Sequence, residues 1–220
     1  MDVDSGLHSY QLQKSYMTET QIALGESAAK NNSPKKPTKR KMRPGGGKAK
    51  GQGFEGQIAK KLSTALAPLN FMRSPGSGAR VGGKNFEKFG EMFGEEALAI
   101  FVADVVPINE KKEGVKFLHS IECKSYKTPD GFTSLVAGSS NTFKWFEESV
   151  EDALKTDKNP ILIFKWNNTP VFVAIDPDHA KCPNVKANAN LILDNAKRRL
   201  AIYYLDDLLN DSSFWFEKVV

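Results

Sequence analysis

The chain has 220 residues, of which 40% are hydrophobic, and a formal net charge of +5 at pH 7. This length is enough for one domain of ordinary size plus a tail, and the apolar content is sufficient for a packed core. A mean hydropathy of -0.42, with no apolar run long enough to cross a bilayer, argues against a membrane protein. The N-terminus has no basic segment followed by an apolar stretch, so no secretory signal is predicted.

Cys123 and Cys182 are the only cysteines, too few for a disulfide framework or a zinc site. Cys123 falls in a predicted strand, where a small buried thiol is the default interpretation. We therefore expect an intracellular protein of a reducing compartment, in the cytoplasm or nucleoid.

The positive charge is concentrated at the N-terminus. Residues 1–53 contain ten Lys and Arg against four Asp and Glu, so the rest of the chain carries a net charge of −1. Nine basic residues and no acidic one lie between Lys30 and Lys50, among Pro and Gly that disfavour regular structure. We predict a disordered basic arm over residues 1–50 and a folded domain over residues 51–220. The arm is expected to bind DNA through a cluster comprising Lys39, Arg40, Lys41 and Arg43. A solubilising linker and a nuclear import signal are the alternatives.

The folded part opens with a predicted helix from Phe54 to Leu66, because its apolar residues recur at helical spacing. Glu55 lies in the first turn of this helix, where the helix dipole favours an acid. A short strand follows over Asn70–Ser74, and then a Pro-Gly-Ser-Gly loop over residues 75–78. The glycines on either side of Ser77 allow the backbone to approach a ligand, and Arg73 and Arg80 supply charge for a phosphate. Residues 81–95 show no clear period and are interpreted as a loop or short helix.

Residues 97–106 are almost wholly apolar and predict a strand buried on both faces, interrupted by Asp104. A buried carboxylate is costly unless it has a partner, so Asp104 should face a cation, a metal or a cleft. After a turn at residues 109–114, Val115 to Lys124 predict the next strand. Alternation places His119 and Cys123 on its core face and directs Glu122 and Lys124 together to the other. An acid and an ammonium side by side can hold a divalent cation and polarise a neighbouring water or phosphate. A salt-bridged surface pair is the alternative.

The C-terminal half is predicted to contain one long helix and several strands. The helix covers residues 141–155, with Trp145 off its inner face. Two strands follow at residues 161–166 and 171–175, joined by a hairpin at Asn167-Asn168. Residues 201–205 and 214–216 are interpreted as an extra strand and a short helix.

This order of elements and motifs resembles the PD-(D/E)XK nuclease superfamily, and within it the archaeal-type Holliday junction resolvases. Glu55 in the first helix, the Arg73 to Gly78 segment, and Asp104 followed by Ile121-Glu122-Cys123-Lys124 carry the resemblance. Ala103 stands where the fold's name has proline, and the segment from Ser77 to Asp104 is longer than expected. The resemblance implies an α/β fold of restriction-endonuclease type, with a mixed central sheet flanked by helices.

The resemblance also implies a role for each matched residue. Asp104, Glu122 and the backbone carbonyl of Cys123, with Glu55 completing the shell, would bind Mg²⁺, for which Mn²⁺ could substitute. Lys124 would orient the attacking water or neutralise the pentavalent phosphorane. Ser77 and its neighbouring amides would hold a phosphate. The catalytic set is therefore Glu55, Asp104, Glu122 and Lys124.

The predicted function is a metal-dependent, structure-selective DNA endonuclease that resolves Holliday junctions by paired phosphodiester hydrolysis. Paired cuts on a near two-fold junction call for a homodimer, with Trp145 and the aromatics at residues 214–216 as candidate interface residues. Another endonuclease of the same superfamily, restriction-like or recombination-associated, is one alternative. A non-catalytic nucleic-acid-binding protein is the other, although binding a polyanion gives no reason for two acids at the site.

Overall fold

The computed structural model describes residues 46–74 and 102–219, with side chains described from Lys50 onward. The first half of the described chain contains α1 (Gly46–Ala65), β1 (Phe71–Arg73), β2 (Val105–Pro107), α2 (Glu110–Glu113), β3 (Val115–Phe117), β4 (His119–Tyr126), α3 (Phe132–Val136) and α4 (Asn141–Thr156). The second half contains β5 (Asn159–Trp166), β6 (Phe172–Ile175), β7 (Leu191–Asp194), β8 (Arg199–Tyr204), α5 (Leu205–Leu208), α6 (Ser212–Trp215) and β9 (Phe216–Lys218).

A seven-stranded mixed sheet organises these elements, in the strand order β1-β2-β4-β5-β6-β8-β7. β4 and β5 are parallel, and the other pairs in this sheet are antiparallel. Parallel neighbours need a crossover, and α4 supplies it. The predicted mixed sheet flanked by helices is therefore confirmed.

The sheet is covered on both faces, and β5 shows this best. Ile161 and Ile163 join the cluster that includes Phe54 and Ile58 of α1. The alternate residues of β5 join a second cluster with Phe143 and Phe146 of α4, namely Leu162 and Phe164. A strand with both faces buried reads as a continuous apolar run, as this one does. The predicted helix at residues 141–155 and the β5–β6 hairpin are likewise confirmed.

Helix α1 begins at Gly46, so the predicted start at Phe54 is wrong. Glycine is a poor helix former, but its cost in a helix is small enough for packing to override. The apolar side chains of Phe54, Ile58 and Leu62 are almost wholly buried against the sheet. The helix they anchor continues through the glycines that precede them.

The long buried strand predicted over residues 97–106 is also wrong in its described part. Val102 has helical conformation, Ala103 and Asp104 form a bend, and β2 starts only at Val105. Periodicity alone cannot distinguish a short buried strand from a buried helical segment. Asp104 therefore precedes the strand rather than interrupting it.

The strand predicted from Val115 to Lys124 is divided at Leu118. The N–H of Leu118 donates to the carbonyl of Trp215, while the carbonyl of Leu118 accepts from Asn159. β3 pairs with β9 in a separate two-stranded sheet, and only β4 enters the main sheet. Alternation did place His119 correctly, since it is buried. The turn predicted at residues 109–114 contains the short helix α2, and α3, α5, β7 and β9 were not predicted.

The aromatic residues proposed for an interface lie in the core. Trp145 is only 4% exposed and stacks on Tyr126 at a ring-centroid distance of 4.4 Å. Phe214 and Trp215 are fully buried, and Phe216 alone is partly exposed. A fully buried ring is unavailable to a second chain, so this argument for a dimer is wrong.

Within the described ranges, no helix is both long enough and apolar enough to span a bilayer. Cys123 and Cys182 are both free.

Candidate active site

The side chain of Asp104 is tied to the strand that carries Glu122. Its Oδ2 accepts a hydrogen bond from the backbone N–H of Cys123 at 2.9 Å. Two positions earlier in β4, the carbonyl of Ile121 accepts from the N–H of Asp104 at 2.8 Å. The ladder between β2 and β4 reaches only the pair Val105–Ile121. Asp104 thus continues the hydrogen bonding to β4 where the β2–β4 ladder ends, and its carboxylate accepts from the next β4 amide that faces it.

Glu122 and Lys124 lie together, as predicted, and a third residue joins them. The Nζ of Lys124 is 2.5 Å from Oε1 of Glu122 and 2.7 Å from Oε2 of Glu148 on α4. Lys124 and Glu122 are mostly buried, with side-chain exposures of 22% and 12%. The ammonium is held between two carboxylates and cannot swing freely into solvent.

Glu55 reaches the same region from α1. Its Oε2 lies 3.6 Å from Nη1 of Arg73, at the end of β1. This oxygen is buried and accepts no hydrogen bond from any described residue. A buried carboxylate oxygen without a donor is costly, which makes it a candidate ligand for a cation. Arg73 therefore lies beside the predicted catalytic acids.

Glu122 and Glu55 are harder to ionise than glutamates in water. Burial, and then the negative charge of Asp104, raise the pKa of Glu122 to about 8. The same two causes, in the same order, raise the pKa of Glu55, against a lowering by Arg73 and Lys124. Because the negative charge of Asp104 disfavours ionisation of Glu122 and Glu55, a divalent cation bound among these carboxylates would relieve the repulsion.

Lys124, in contrast, is favoured in its charged form. Burial would lower its pKa, but the carboxylates of Glu122 and Glu148 outweigh burial and raise it. An ammonium with a raised pKa stays protonated at neutral pH and is a charged donor rather than a general base. This favours charge stabilisation over proton abstraction as its role.

Comparison with known families agrees with this arrangement. The model of a family described as "Phage putative PDDEXK endonuclease" matches residues 46–210, well over half of the chain. The chain belongs to this PD-(D/E)XK endonuclease family. No curated protein and no solved structure matches it. The superfamily predicted from the motifs is therefore confirmed, and nuclease chemistry is the class of activity to which the site belongs.

Family membership implies a divalent metal, and the residues present fit one. Among residues 46–74 and 102–219, no group of three or more His, Cys, Asp and Glu side chains forms a ready metal site. Mg²⁺, however, is often held by only one or two carboxylates and several waters. Asp104 and Glu122 supply two carboxylates whose charges repel. The N–H and C=O of a strand residue point to the same side, so the Cys123 carbonyl lies on the Asp104 side of β4.

Several predicted substrate-binding residues lie outside the described residues: Ser77, Arg80, Lys39, Arg40, Lys41 and Arg43. Their assignments remain predictions. The structure brings together Glu55, Arg73, Asp104, Glu122 and Lys124 from α1, β1, the bend before β2, and β4.

Glu148 is the residue of this site that the sequence analysis missed. It lies on α4, next to Glu147, and nothing in the sequence distinguishes one glutamate from the other. Glu147 instead binds Arg198, with Oε1 3.1 Å from the guanidinium Nε. Only the packing of α4 against β4 decides which of the two meets Lys124.

Proposed function

We propose that the protein is a Mg²⁺-dependent DNA endonuclease whose preferred substrate is a four-way junction. The observation that carries the proposal is the group formed by Asp104, Glu122 and Lys124, held in place by the Cys123 amide and by Glu148. The oxygen donors suit a hard cation, and the ammonium suits a phosphate whose charge increases during hydrolysis.

Each residue has a separate task in this proposal. Asp104, Glu122 and the carbonyl of Cys123 would hold Mg²⁺, with Glu55 at the edge of the shell. The bound ion would lower the pKa of a water and stabilise charge on the scissile phosphate. Lys124, kept protonated by its two carboxylate neighbours, donates to the phosphate oxygens or to the attacking water. Glu148 fixes the lysine in that position, and Arg73 balances the charge of Glu55.

Branched DNA is the finer part of the proposal. Its support is the resemblance to the archaeal-type Holliday junction resolvases, together with the symmetry of a junction, which calls for two matched nicks. Two nicks require two active sites and therefore a homodimer.

The decisive experiment is cleavage of a four-way junction, the matching linear duplex and a single strand, each with and without Mg²⁺. Asp104→Asn serves as the catalytic control. The proposal predicts metal-dependent cleavage with preference for the junction. Cleavage of the linear duplex at the same rate would leave another endonuclease of the superfamily, while binding without any cleavage would favour the non-catalytic alternative. Light scattering and a junction extruded from a supercoiled plasmid test the dimer and the pairing of the nicks.

A further inference from the structure

A cleft of about 490 Å³ lies between α1 and the β5–β6 hairpin. One wall is formed by the first half of α1, and the other by the ends of β4 and β5 with the hairpin turn. Its lining residues are Lys50, Gly53, Phe54, Gln57, Ser125, Lys165, Trp166, Asn167, Asn168 and Thr169. None of the predicted catalytic residues lines the cleft, but two of the lining residues are their direct neighbours in sequence. Phe54 precedes Glu55, and Ser125 follows Lys124.

The charge of the cleft indicates an anionic ligand. Among the described residues, two lysines and no acid line it. Neither Lys50 nor Lys165 forms an ion pair with another described residue. Lys50 donates to Oδ1 of Asn167 at 2.8 Å, and the Nζ of Lys165 lies 5.1 Å from the ring centre of Phe54. An amide and a ring face are weak partners for a cation, so both ammonium groups can take a phosphate at little cost.

One buried polar atom of a lining residue has no partner among the described residues. The Oγ of Ser125 forms no hydrogen bond with them. Buried polar groups are rarely left unpaired, and such exceptions occur where a ligand or water completes the set. Gln57, Asn167 and Asn168, which carry side-chain amides, also line the cleft.

The α1 wall of the cleft has room for a larger side chain at Gly53. Gly53 lies on the cleft side of α1, and a Cβ atom built there meets nothing within 4 Å. A larger residue would therefore be tolerated by the fold but would project into the cleft. Gly56, three residues later and outside the cleft lining, is equally unobstructed. The chain thus offers a matched pair of glycines for a test.

We propose that this cleft binds the phosphodiester backbone of the DNA strand next to the scissile phosphate, with Lys50 and Lys165 on phosphate oxygens. The inference rests on the proposed nuclease function, and it assigns part of the substrate path to residues that do not take part in hydrolysis. Phosphate contacts position DNA without reading its sequence. The cleft should accordingly set affinity and register, not base preference.

The experiment compares Gly53→Gln with Gly56→Gln in the full-length protein. Glutamine is a better helix former than glycine, so neither change should lower the thermal midpoint. Binding is measured by anisotropy of a labelled four-way junction without divalent metal. Gly53→Gln should weaken binding by about tenfold and raise KM with little change in kcat, while Gly56→Gln behaves as wild type. Equal binding by the two variants would overturn the inference. Lys165→Gln should reduce the salt dependence of binding by about one unit of slope.

These readouts separate the two proposals. If the wild type cleaves no DNA but Gly53→Gln binds it more weakly than Gly56→Gln, the cleft assignment stands and the nuclease proposal fails. If the wild type cleaves and both glycine variants match it in binding and KM, the nuclease proposal stands and the cleft assignment fails.

Discussion

The carboxylate of Asp104 accepts the backbone N–H of Cys123 at 2.9 Å, which fixes the acid beside the strand that carries Glu122 and Lys124. One side chain thus has two tasks, since it completes the hydrogen bonding of β4 and supplies charge to the site. The two tasks can be separated by substitution, because an amide oxygen can accept the same hydrogen bond but carries no charge.

Asp104→Asn should therefore fold normally and lose cleavage, to below about a hundredth of the wild-type rate. Asp104→Ala should lose cleavage and also stability, by about 1–3 kcal/mol, because the Cys123 N–H is left without an acceptor. Urea unfolding and a junction-cleavage assay measure the two effects. Wild-type cleavage by Asp104→Asn in saturating Mg²⁺ would remove Asp104 from the catalytic set.

Lys124→Ala should bind DNA with near wild-type affinity and turn over slowly, because the ammonium acts mainly on the transition state. Glu148→Gln should give a smaller loss in kcat, since the amide holds Lys124 less firmly than the carboxylate at 2.7 Å does. Glu151→Gln, on the exposed side of α4, is the matched control. Single-turnover cleavage at saturating enzyme separates kcat from binding. Equal rates for Glu148→Gln and Glu151→Gln would show that Glu148 does not position the lysine.

Deleting residues 1–45 should weaken binding to any DNA and flatten its salt dependence, since the deletion removes eight Lys and Arg with only four Asp and Glu. The deletion ends before Gly46 so that α1 and Lys50 remain. Preference among DNA shapes should survive, because phosphate contacts position without specifying. Anisotropy titrations over a salt series test this. An unchanged slope would assign the arm to a different partner or to import.

His119 should make stability depend on pH. Burial lowers its pKa to about 3, against a backbone hydrogen bond to Phe214 that raises it. Its partners are the Phe214 carbonyl at 2.6 Å and the Asn159 amide at 3.0 Å. The folded state therefore holds the imidazole neutral, while the unfolded chain protonates it below about pH 6.5.

The contribution of His119 is fully present above pH 6.5 and is lost as the pH falls towards 3, by at most about 1.4 kcal/mol per pH unit. His119→Gln should be less stable at pH 7 but show a shallower decline from pH 6.5 to 4 in urea unfolding. A wild-type slope in His119→Gln would contradict the assignment.

The sequence by itself determined which charged residues lie together. Strand alternation placed Glu122 and Lys124 on one face, and the cost of burying a carboxylate singled out Asp104. Helical spacing placed Glu55 on a helix that packs against the sheet. These inferences hold because each depends on neighbours within a few residues or on a single burial cost, both of which a sequence reveals.

Only the tertiary structure decided where segments end and which groups meet. Asp104 precedes β2 because the chain bends at Ala103. The predicted strand is divided at Leu118 because the backbone groups of Leu118 form hydrogen bonds with Trp215 and Asn159. Glu148, and not Glu147, meets Lys124 because of how α4 lies on β4. Trp145 and Trp215 are buried by residues distant in sequence. Each of these outcomes depends on hydrogen bonds and packing between remote segments, for which local periodicity carries no signal.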